Sequence, residues 1–333
     1  MFIFKRKTGY YYISYKDING KQKNVSTKKK TKNDALKVLS NFEKTLEEKQ
    51  KSKVTTISLT KFRFEFLKHS EIIHTEKTNK VYKTTFKFFI NYFGDIAIQS
   101  LTQNDIRNYL TNRFNTASVY MARKDLINLK ACFNYAITQN YLLINPCKGI
   151  KQFRIPEKQP VFFSKEDFST LTTSIDDTKF RCFVEIAANT GLRLNELLNL
   201  TWEQINFQDQ FINLNNHNHI TKSKRVRTIP LNSIAMNSLH NLLPYKKNNN
   251  VFHFDFGNED YKVSNRFKHF VLKSGLDKKY HFHSLRHSFA SWLVQSGVSI
   301  YIVSKLLGHA DIKTTEIYSH LRTEDLRTAL NSL

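Results

Sequence analysis

Four short stretches in the second half of the chain combine arginine, lysine, histidine and tyrosine at spacings that suit chemistry on a phosphate ester. They cover residues 190–196, 221–227, 281–287 and 306–318. Arginine forks can each pair with two phosphate oxygens, and imidazole can move protons near neutral pH. A tyrosine hydroxyl can serve as a nucleophile. Together these residue types could form a covalent phosphodiester and stabilise the charge of a pentacoordinate phosphorus.

Taken singly, several of these residues also have an ordinary structural explanation. Arg193 could be a helix-surface arginine, and Glu196, three residues later, could be a solvent-facing carboxylate. Tyr318 is one of 15 tyrosines and could be a half-buried core residue. His320 could be a helix cap or a secondary contact. Only the combination of the four stretches favours a catalytic interpretation.

A metal site is a further alternative for the histidines. His283 and His287 lie one helical turn apart, as a zinc-binding pair would. No Glu follows His283, however, and Arg286 between the two histidines would repel a dication. The chain has three cysteines and no CxxC pair, which predicts neither a disulfide framework nor a zinc site. We therefore expect no metal.

In order and spacing, the four stretches resemble the tyrosine recombinase (phage integrase) family over about residues 160–325. TGLRLNELLNLTW is similar to the box around the first catalytic arginine, and TKSKRVRTIPL is similar to the hairpin that carries the catalytic lysine. HSLRHSFAS matches the H-x-x-R box, and LLGHADIKTTEIYSH matches the stretch that ends in the nucleophile. One match could arise by chance, whereas four in order indicate the family.

The resemblance implies a catalytic set and a role for each member. In that set Tyr318 is the nucleophile, Lys222 protonates the leaving 5′ oxygen, and His283 accepts or orients the tyrosine proton. His309 donates a hydrogen bond to a non-bridging phosphate oxygen, and Glu196 orients the guanidinium of Arg193. Lys224 and Arg225 remain alternatives to Lys222, whose position eight residues before Pro230 favours it. The six implied catalytic residues are Arg193, Lys222, His283, Arg286, His309 and Tyr318.

The elements around these motifs predict a mainly α, multidomain chain with small β elements. Residues 1–52 predict a three-stranded sheet backed by one helix, with strands near 2–4, 10–15 and 23–27 and an Asn19-Gly20 hairpin turn. Thr31 or Asn33 would cap the helix. The resemblance makes this segment an arm-type DNA-binding domain.

Residues 56–150 predict a helical domain between two polar linkers. Apolar residues repeat at three and four along 59–67, 79–92, 102–114 and 118–139. Thr102 and Asp105 form a start similar to a capping box. In the family this position holds a SAM-like core-binding domain.

Residues 160–333 predict an α+β catalytic domain. Strands are expected at 207–214 and 225–231, and helices at 233–243, 261–274, 284–296, 300–307, 313–319 and 323–330. Leu321, Leu326 and Leu330 could form an amphipathic tail helix, which in this family docks on a neighbouring subunit.

The charge distribution favours a nucleic-acid partner. Of the net charge of +24, +19 lies in residues 1–156, so we expect the chain to bind a polyanion mainly through its first half. No segment is apolar enough to span a membrane, and we expect a cytoplasmic, nucleoid-associated protein. Six basic residues are candidates for DNA contacts: Lys28, Lys29, Lys30, Arg123, Lys124 and Lys130.

The resemblance also implies partners and an activity. A family member of this kind cleaves and rejoins duplex DNA at core and arm sites through a 3′-phosphotyrosyl intermediate, and integrates or excises a phage or mobile element. It is a monomer in free solution and a homotetramer on DNA, with accessory DNA-bending proteins as further partners. It uses neither a metal nor a nucleotide cofactor. A catalytically inactive DNA-binding relative and a type IB topoisomerase are the alternative functions.

Overall fold

The computed structural model describes residues 1–16, 21–51, 54–155, 159–214 and 227–321. The chain forms two compact units, Met1–Pro156 and Glu157–Leu333. The fold class predicted from the sequence, mainly α with small β elements, is confirmed. The structure contains two three-stranded sheets, one in each unit. The division of the first unit at residues 52–56 stays a prediction. The Asn19-Gly20 turn, Lys222 and the tail helix at 323–330 lie outside the described residues.

An antiparallel sheet opens the first unit. Its strands are β1 (Phe2–Lys5), β2 (Tyr11–Lys16) and β3 (Gln22–Ser26), in the order β1-β2-β3. Helix α1 (Lys32–Lys51) starts after Thr31, whose hydroxyl accepts a hydrogen bond from the backbone N–H of Asp34. The ring of Tyr15 meets that of Phe42 edge to face at 5.1 Å, which joins the sheet to the helix.

Four further α-helices follow in the first unit, and polar caps set where each begins. Their bounds are α2 (Leu59–Ile73), α3 (Glu76–Phe93), α4 (Gln103–Thr116) and α5 (Val119–Thr138). Thr102 and Asp105 form the capping box that the sequence predicts. Phe62, Phe86, Phe89 and Phe133 are fully buried and form the centre of this helical core.

The second unit surrounds a small sheet with helices. The helices are α6 (Lys165–Ser174), α7 (Thr178–Thr190), α8 (Leu194–Leu198), α9 (Ser233–Leu242), α10 (Asp260–Lys273), α11 (Phe282–Gln295) and α12 (Ile300–Leu307). The strands are β4 (Ile205–Asn206), β5 (Phe211–Leu214) and β6 (Arg227–Pro230), paired antiparallel in that order. The fully buried α7 side chains Phe180, Phe183 and Ile186 belong to the main core of this unit.

Two predicted elements of this unit differ from the structure. Only residues 211–214 of the strand expected at 207–214 form a strand, β5. Residues 207–210 form the turn that joins it to β4, in which Asn206 accepts from the backbone N–H of Asp209 and Gln210 has a positive φ of 54°. The prediction of an α-helix at 313–319 is wrong. Two 3₁₀ turns, Ile312–Thr314 and Glu316–Leu321, occupy this segment. The tighter winding places residues three apart on one side, and both Thr315 and Tyr318 are buried there.

Within the described part of the chain, no helix combines the length and apolar character needed to cross a bilayer. The same residues hold no group of three or more His, Cys, Asp or Glu side chains arranged to bind a metal. The three cysteines are buried free thiols.

Candidate active site

Gly191 and Arg193 shape the first part of the site, at the turn between α7 and α8. Gly191 ends α7 in the left-handed region with φ of 63°, where a Cβ would collide with the side chains of Phe289 and Leu307. Arg193 then caps α8, and its guanidinium donates to Glu196 Oε1 at 2.8 Å. The backbone N–H of Arg193 donates to Oε2 of the same carboxylate at 2.9 Å. The Glu196 carboxylate thus bonds both the backbone and the guanidinium of Arg193, which orients this guanidinium at the α7–α8 turn.

A second arginine shares the Glu196 carboxylate. Arg227, the first residue of β6, donates to Glu196 Oε2 at 2.7 Å and to Oε1 at 3.2 Å. Its side chain is only 8% exposed and lies against Gly308, where any Cβ would strike the guanidinium. The sequence interpretation overlooked Arg227. Glu196 is 3% exposed, so the alternative of a solvent-facing carboxylate is wrong.

The two arginines determine the ionisation of Glu196. Burial would raise its pKa, but the hydrogen bonds and charge of Arg227, together with Arg193, outweigh burial and hold the pKa at about 2. The carboxylate is therefore ionised at every physiological pH. It neutralises one of the two guanidinium charges beside it.

Replacing Glu196 by Gln should destabilise the second unit by about 3 kcal/mol, because Arg227 is left buried without a counter-ion. The wild-type contribution of this carboxylate is present in full above about pH 4.5. It is lost as the pH falls toward 2, since the folded pKa lies below the unfolded one. Urea unfolding monitored by tryptophan fluorescence measures both effects, because Trp202 and Trp292 both lie in this unit.

Glu259→Gln is the matched control for this prediction. Glu259 pairs with Lys262 at 3.1 Å on the surface, where the pair is solvent-exposed. Its substitution should leave the urea midpoint unchanged. Equal midpoints for Glu196→Gln and wild type would contradict the structural role of the buried carboxylate.

Arg286 lies deeper and is held by two helix ends. It is 4% exposed, and its guanidinium donates to the carbonyls of Gly191 at 2.5 Å and Leu307 at 2.7 Å. Those carbonyls end α7 and α12, where helix dipoles favour a cation. Burial and the charges of Arg193 and Arg227 lower the pKa of Arg286 to about 9. Arg286 thus stays charged at neutral pH in a cluster that holds more positive than negative charge.

His309 lies beside the same arginines. It follows Gly308, which ends α12 in the left-handed region and whose carbonyl accepts from Arg193 at 3.4 Å. The Nδ1 atom of His309 lies 2.8 Å from the hydroxyl of the buried Thr315. Burial and the nearby cations, with Arg286 first among them, lower the pKa of His309 to about 4. The neutral ring therefore keeps Nε2 for a further hydrogen bond.

Tyr318 lies in the second 3₁₀ turn, Glu316–Leu321, which packs against α11. It is 2% exposed and packs with Ala290, Val294 and Leu307. Its hydroxyl lies 2.6 Å from Nδ1 of His287. Burial raises the pKa of Tyr318 to about 12, although the charge of Arg286 acts in the opposite direction. The phenol is therefore protonated at neutral pH and needs a base before it can attack.

The resemblance implied that His283 accepts or orients the tyrosine proton, but His287, not His283, forms the hydrogen bond to the Tyr318 hydroxyl. Its ring meets the ring of His287 edge to face at 4.8 Å. Surrounding protein and the charge of Arg286 lower the pKa of His283, although its side chain is exposed at the surface. The structure thus orders the groups as His283, then His287, then Tyr318.

His287 and Arg227 are the two site residues that sequence reasoning missed as functional groups. His287 entered only as one half of a zinc pair. The sequence feature that could have identified His287 is its position directly after Arg286 and one helical turn beyond His283. Arg227 lies three residues before Pro230, within the stretch that resembles the lysine hairpin.

The structure gives some of the proposed DNA-contact residues intramolecular partners. Lys130 Nζ donates to the carbonyl of Ile150 at 2.9 Å, so its charge is partly used inside the first unit. Lys30 Nζ lies 5.2 Å from the ring centroid of Tyr10. Lys28, Lys29 and Lys124 are exposed, and Arg123 is half-buried. Contacts of all six with DNA stay a prediction.

Comparison with known proteins adds a family match. Residues 162–325 match the model of the phage integrase family. A tyrosine recombinase of Thermosipho africanus is 28% identical over 277 residues, which is 78% of this chain and 94% of that protein. Tyrosine recombinase XerC of Escherichia coli O127:H6 is 27% identical over 274 residues, which is 75% of this chain and 88% of that protein.

Solved structures share the fold. The Tn1549 transposon integrase in complex with transposon right end DNA superposes with a TM-score of 0.69 and 20% identity, over 83% of this chain and 99% of that one. A lambda integrase dimer bound to a COC′ core site superposes with a TM-score of 0.69 and 18% identity, over 97% of this chain and 95% of that one. At these identities the likeness concerns the fold alone.

Proposed function

Because this chain belongs to the tyrosine recombinase family and is a site-specific recombinase, we propose that it cleaves and rejoins DNA through a covalent 3′-phosphotyrosyl intermediate on Tyr318. We propose further that it integrates or excises a mobile element. The observation that carries the covalent mechanism is a cluster of three guanidinium groups around one carboxylate, together with a buried tyrosine whose hydroxyl is hydrogen-bonded to a histidine.

The charge balance of the cluster supports an anionic ligand. Arg193, Arg227 and Arg286 carry three positive charges, and Glu196 supplies one negative charge. The repulsion among the arginines is the second cause, after burial, of the lowered pKa of Arg286. A phosphodiester would relieve that repulsion and accept from planar guanidinium forks. As the phosphorus becomes pentacoordinate, the added charge is stabilised further.

The proposed reaction assigns each proton and bond to a residue. The Tyr318 oxygen bonds to phosphorus, and the bond from phosphorus to the 5′ oxygen breaks. Lys222, in the segment that precedes β6, protonates that leaving oxygen, while Arg193, Arg286 and His309 stabilise the non-bridging oxygens. Another 5′ hydroxyl then attacks phosphorus and gives its proton back to Lys222, and this attack displaces the phenolate and rejoins the strand. The energy of the broken bond is kept in the phosphotyrosine ester.

Duplex DNA is the proposed partner, and four copies of this chain would bind it as a tetramer at core sites. The net charge of +19 in residues 1–156 supports phosphate contacts along the duplex. Among structures with the same fold are integrases in complex with DNA and a lambda integrase tetramer bound to a Holliday junction. The match to the lambda integrase dimer spans 97% of this chain. This span supports the N-terminal sheet as an additional, arm-type DNA-binding segment.

The DNA ends that flank this gene provide the substrate for the test. Duplexes that span those ends, each with a nick placed so that the cleaved fragment diffuses away, should trap the protein covalently. An adduct that survives denaturing gels is expected, and mass spectrometry of its digest should locate the nucleotide on Tyr318. Binding without an adduct on every end duplex would favour an inactive DNA-binding relative. Relaxation of supercoiled DNA that lacks these ends would favour a topoisomerase.

A further inference from the structure

We propose that His287 is the general base that removes the proton from the Tyr318 hydroxyl. This inference rests on the proposed function and concerns the same site. The geometry that carries it is the 2.6 Å separation between His287 Nδ1 and the Tyr318 oxygen. A general base must lie within hydrogen-bond reach of the proton it takes, and among the described residues His287 alone is hydrogen-bonded to this oxygen.

The ring of His287 is in the correct state to accept a proton. Tyr318 has a protonated hydroxyl at neutral pH, so it donates and Nδ1 accepts, which leaves the histidine proton on Nε2. Burial and the neighbouring rings of His283 and His281 lower the pKa of His287 to about 4. Arg286 and His309 contribute in the same direction. The imidazole is therefore neutral when the reaction begins.

The fold keeps the acceptor and the donor together before DNA arrives. His287 projects from the middle of α11, while Tyr318 projects from the 3₁₀ turn that packs on this helix. The packing of Tyr318 against Ala290 and Val294 of α11 fixes the ring that carries the hydroxyl. His283 is one turn nearer the start of α11 and contacts the ring of His287. Its neighbouring charge helps to lower the pKa of His287 and so favours the neutral imidazole.

The proposed step balances without an additional reactant. The Tyr318 O–H bond breaks and its proton moves to His287 Nδ1, as the phenolic oxygen bonds to phosphorus. His287 is then an imidazolium. When the reaction reverses, the phenolate leaves phosphorus and regains this proton from His287, so that the free enzyme is restored.

The test compares the single-turnover rate of adduct formation between pH 6.5 and 9.5 for wild type, His287→Asn and His287→Gln, on the end duplex that traps the wild type. Wild type should be nearly independent of pH. Both variants should be slower by about 100-fold or more at pH 7. Their rates should rise about tenfold per pH unit, because the phenolate must now form before the attack.

His269→Asn is the matched control. His269 is exposed on α10, where its ring meets that of Phe270 at 5.4 Å. This variant should keep the rate and the flat pH profile. A rate loss in His287→Asn and His287→Gln that is equal at every pH would overturn the proposal, since a merely structural role predicts that pattern. A rate within threefold of wild type would overturn it as well.

A measurement on the free protein separates this proposal from the proposed function. In ¹⁵N-histidine spectra, Nδ1 of His287 should give the signal of an unprotonated acceptor and should shift in Tyr318→Phe. A protonated Nδ1 would overturn the base assignment even if adducts form. Failure of wild type to form any adduct would overturn the proposed function instead, whatever the tautomer.

Discussion

Tyr318→Phe should abolish covalent adduct formation, with a loss that reaches the detection limit of the assay. The substitution removes only the oxygen that bonds to phosphorus, so no slower route through the same residue remains. The ring stays buried against α11, and the main structural change is the loss of the hydrogen bond to His287. Duplex binding in gel shifts should therefore be retained. Denaturing gels of nicked end duplexes give the comparison.

Tyr301→Phe is the control for the loss of a phenolic oxygen elsewhere in this unit. Tyr301 is 58% exposed on α12, where its ring faces Lys305 Nζ at 4.5 Å. This variant should form adducts at the wild-type rate. An adduct formed by Tyr318→Phe would place the nucleophile on another residue, which peptide mapping of the adduct would identify.

Arg286→Lys should lower the rate of adduct formation by roughly 10³-fold while duplex binding stays near that of wild type. Lysine keeps the positive charge but lacks the planar guanidinium. Only the guanidinium can donate to the carbonyls of Gly191 and Leu307 and at the same time present further N–H groups to a phosphate. The variant should also unfold at lower urea concentration. Single-turnover rates at saturating enzyme isolate the chemical step from binding.

Arg266→Lys makes the same substitution away from the cluster. The Arg266 guanidinium lies over the ring of Phe270 at 5.0 Å. Its adduct rate should match that of wild type. If Arg286→Lys also kept the wild-type rate, its guanidinium would be structural and the anion site would have to rest on Arg193 and Arg227.

Local patterns predicted most of the elements well. Caps at Thr31 and Thr102 were visible in the sequence because a hydroxyl before a helix and an acidic residue three positions later form a local unit. The motif order also placed Arg193, Arg286, His309 and Tyr318 within one unit of the structure. Such features depend on neighbours within a few residues, which a sequence displays directly.

The missed features depend on contacts between distant segments. Whether His283 or His287 meets Tyr318 depends on how the 3₁₀ turn packs on α11, across 31 residues of chain. The pairing of Arg227 with Glu196 also spans 31 residues. The predicted helix at 313–319 follows an ordinary helical pattern. The tighter turn instead buries Thr315 and Tyr318 side by side.

Under the proposed mechanism, the two carbonyls that hold Arg286 link DNA cleavage to completion of folding. Gly191 lies 95 residues before this arginine and Leu307 lies 21 residues after it, so the guanidinium is positioned only when α7, α11 and α12 have all assembled. A nascent or partly unfolded chain exposes the tyrosine but has no organised anion site beside it. Proteolytic fragments and folding intermediates that still bind DNA should therefore leave it unbroken. Under the proposed mechanism, the contacts that stabilise the folded unit therefore also restrict strand cleavage to the folded protein.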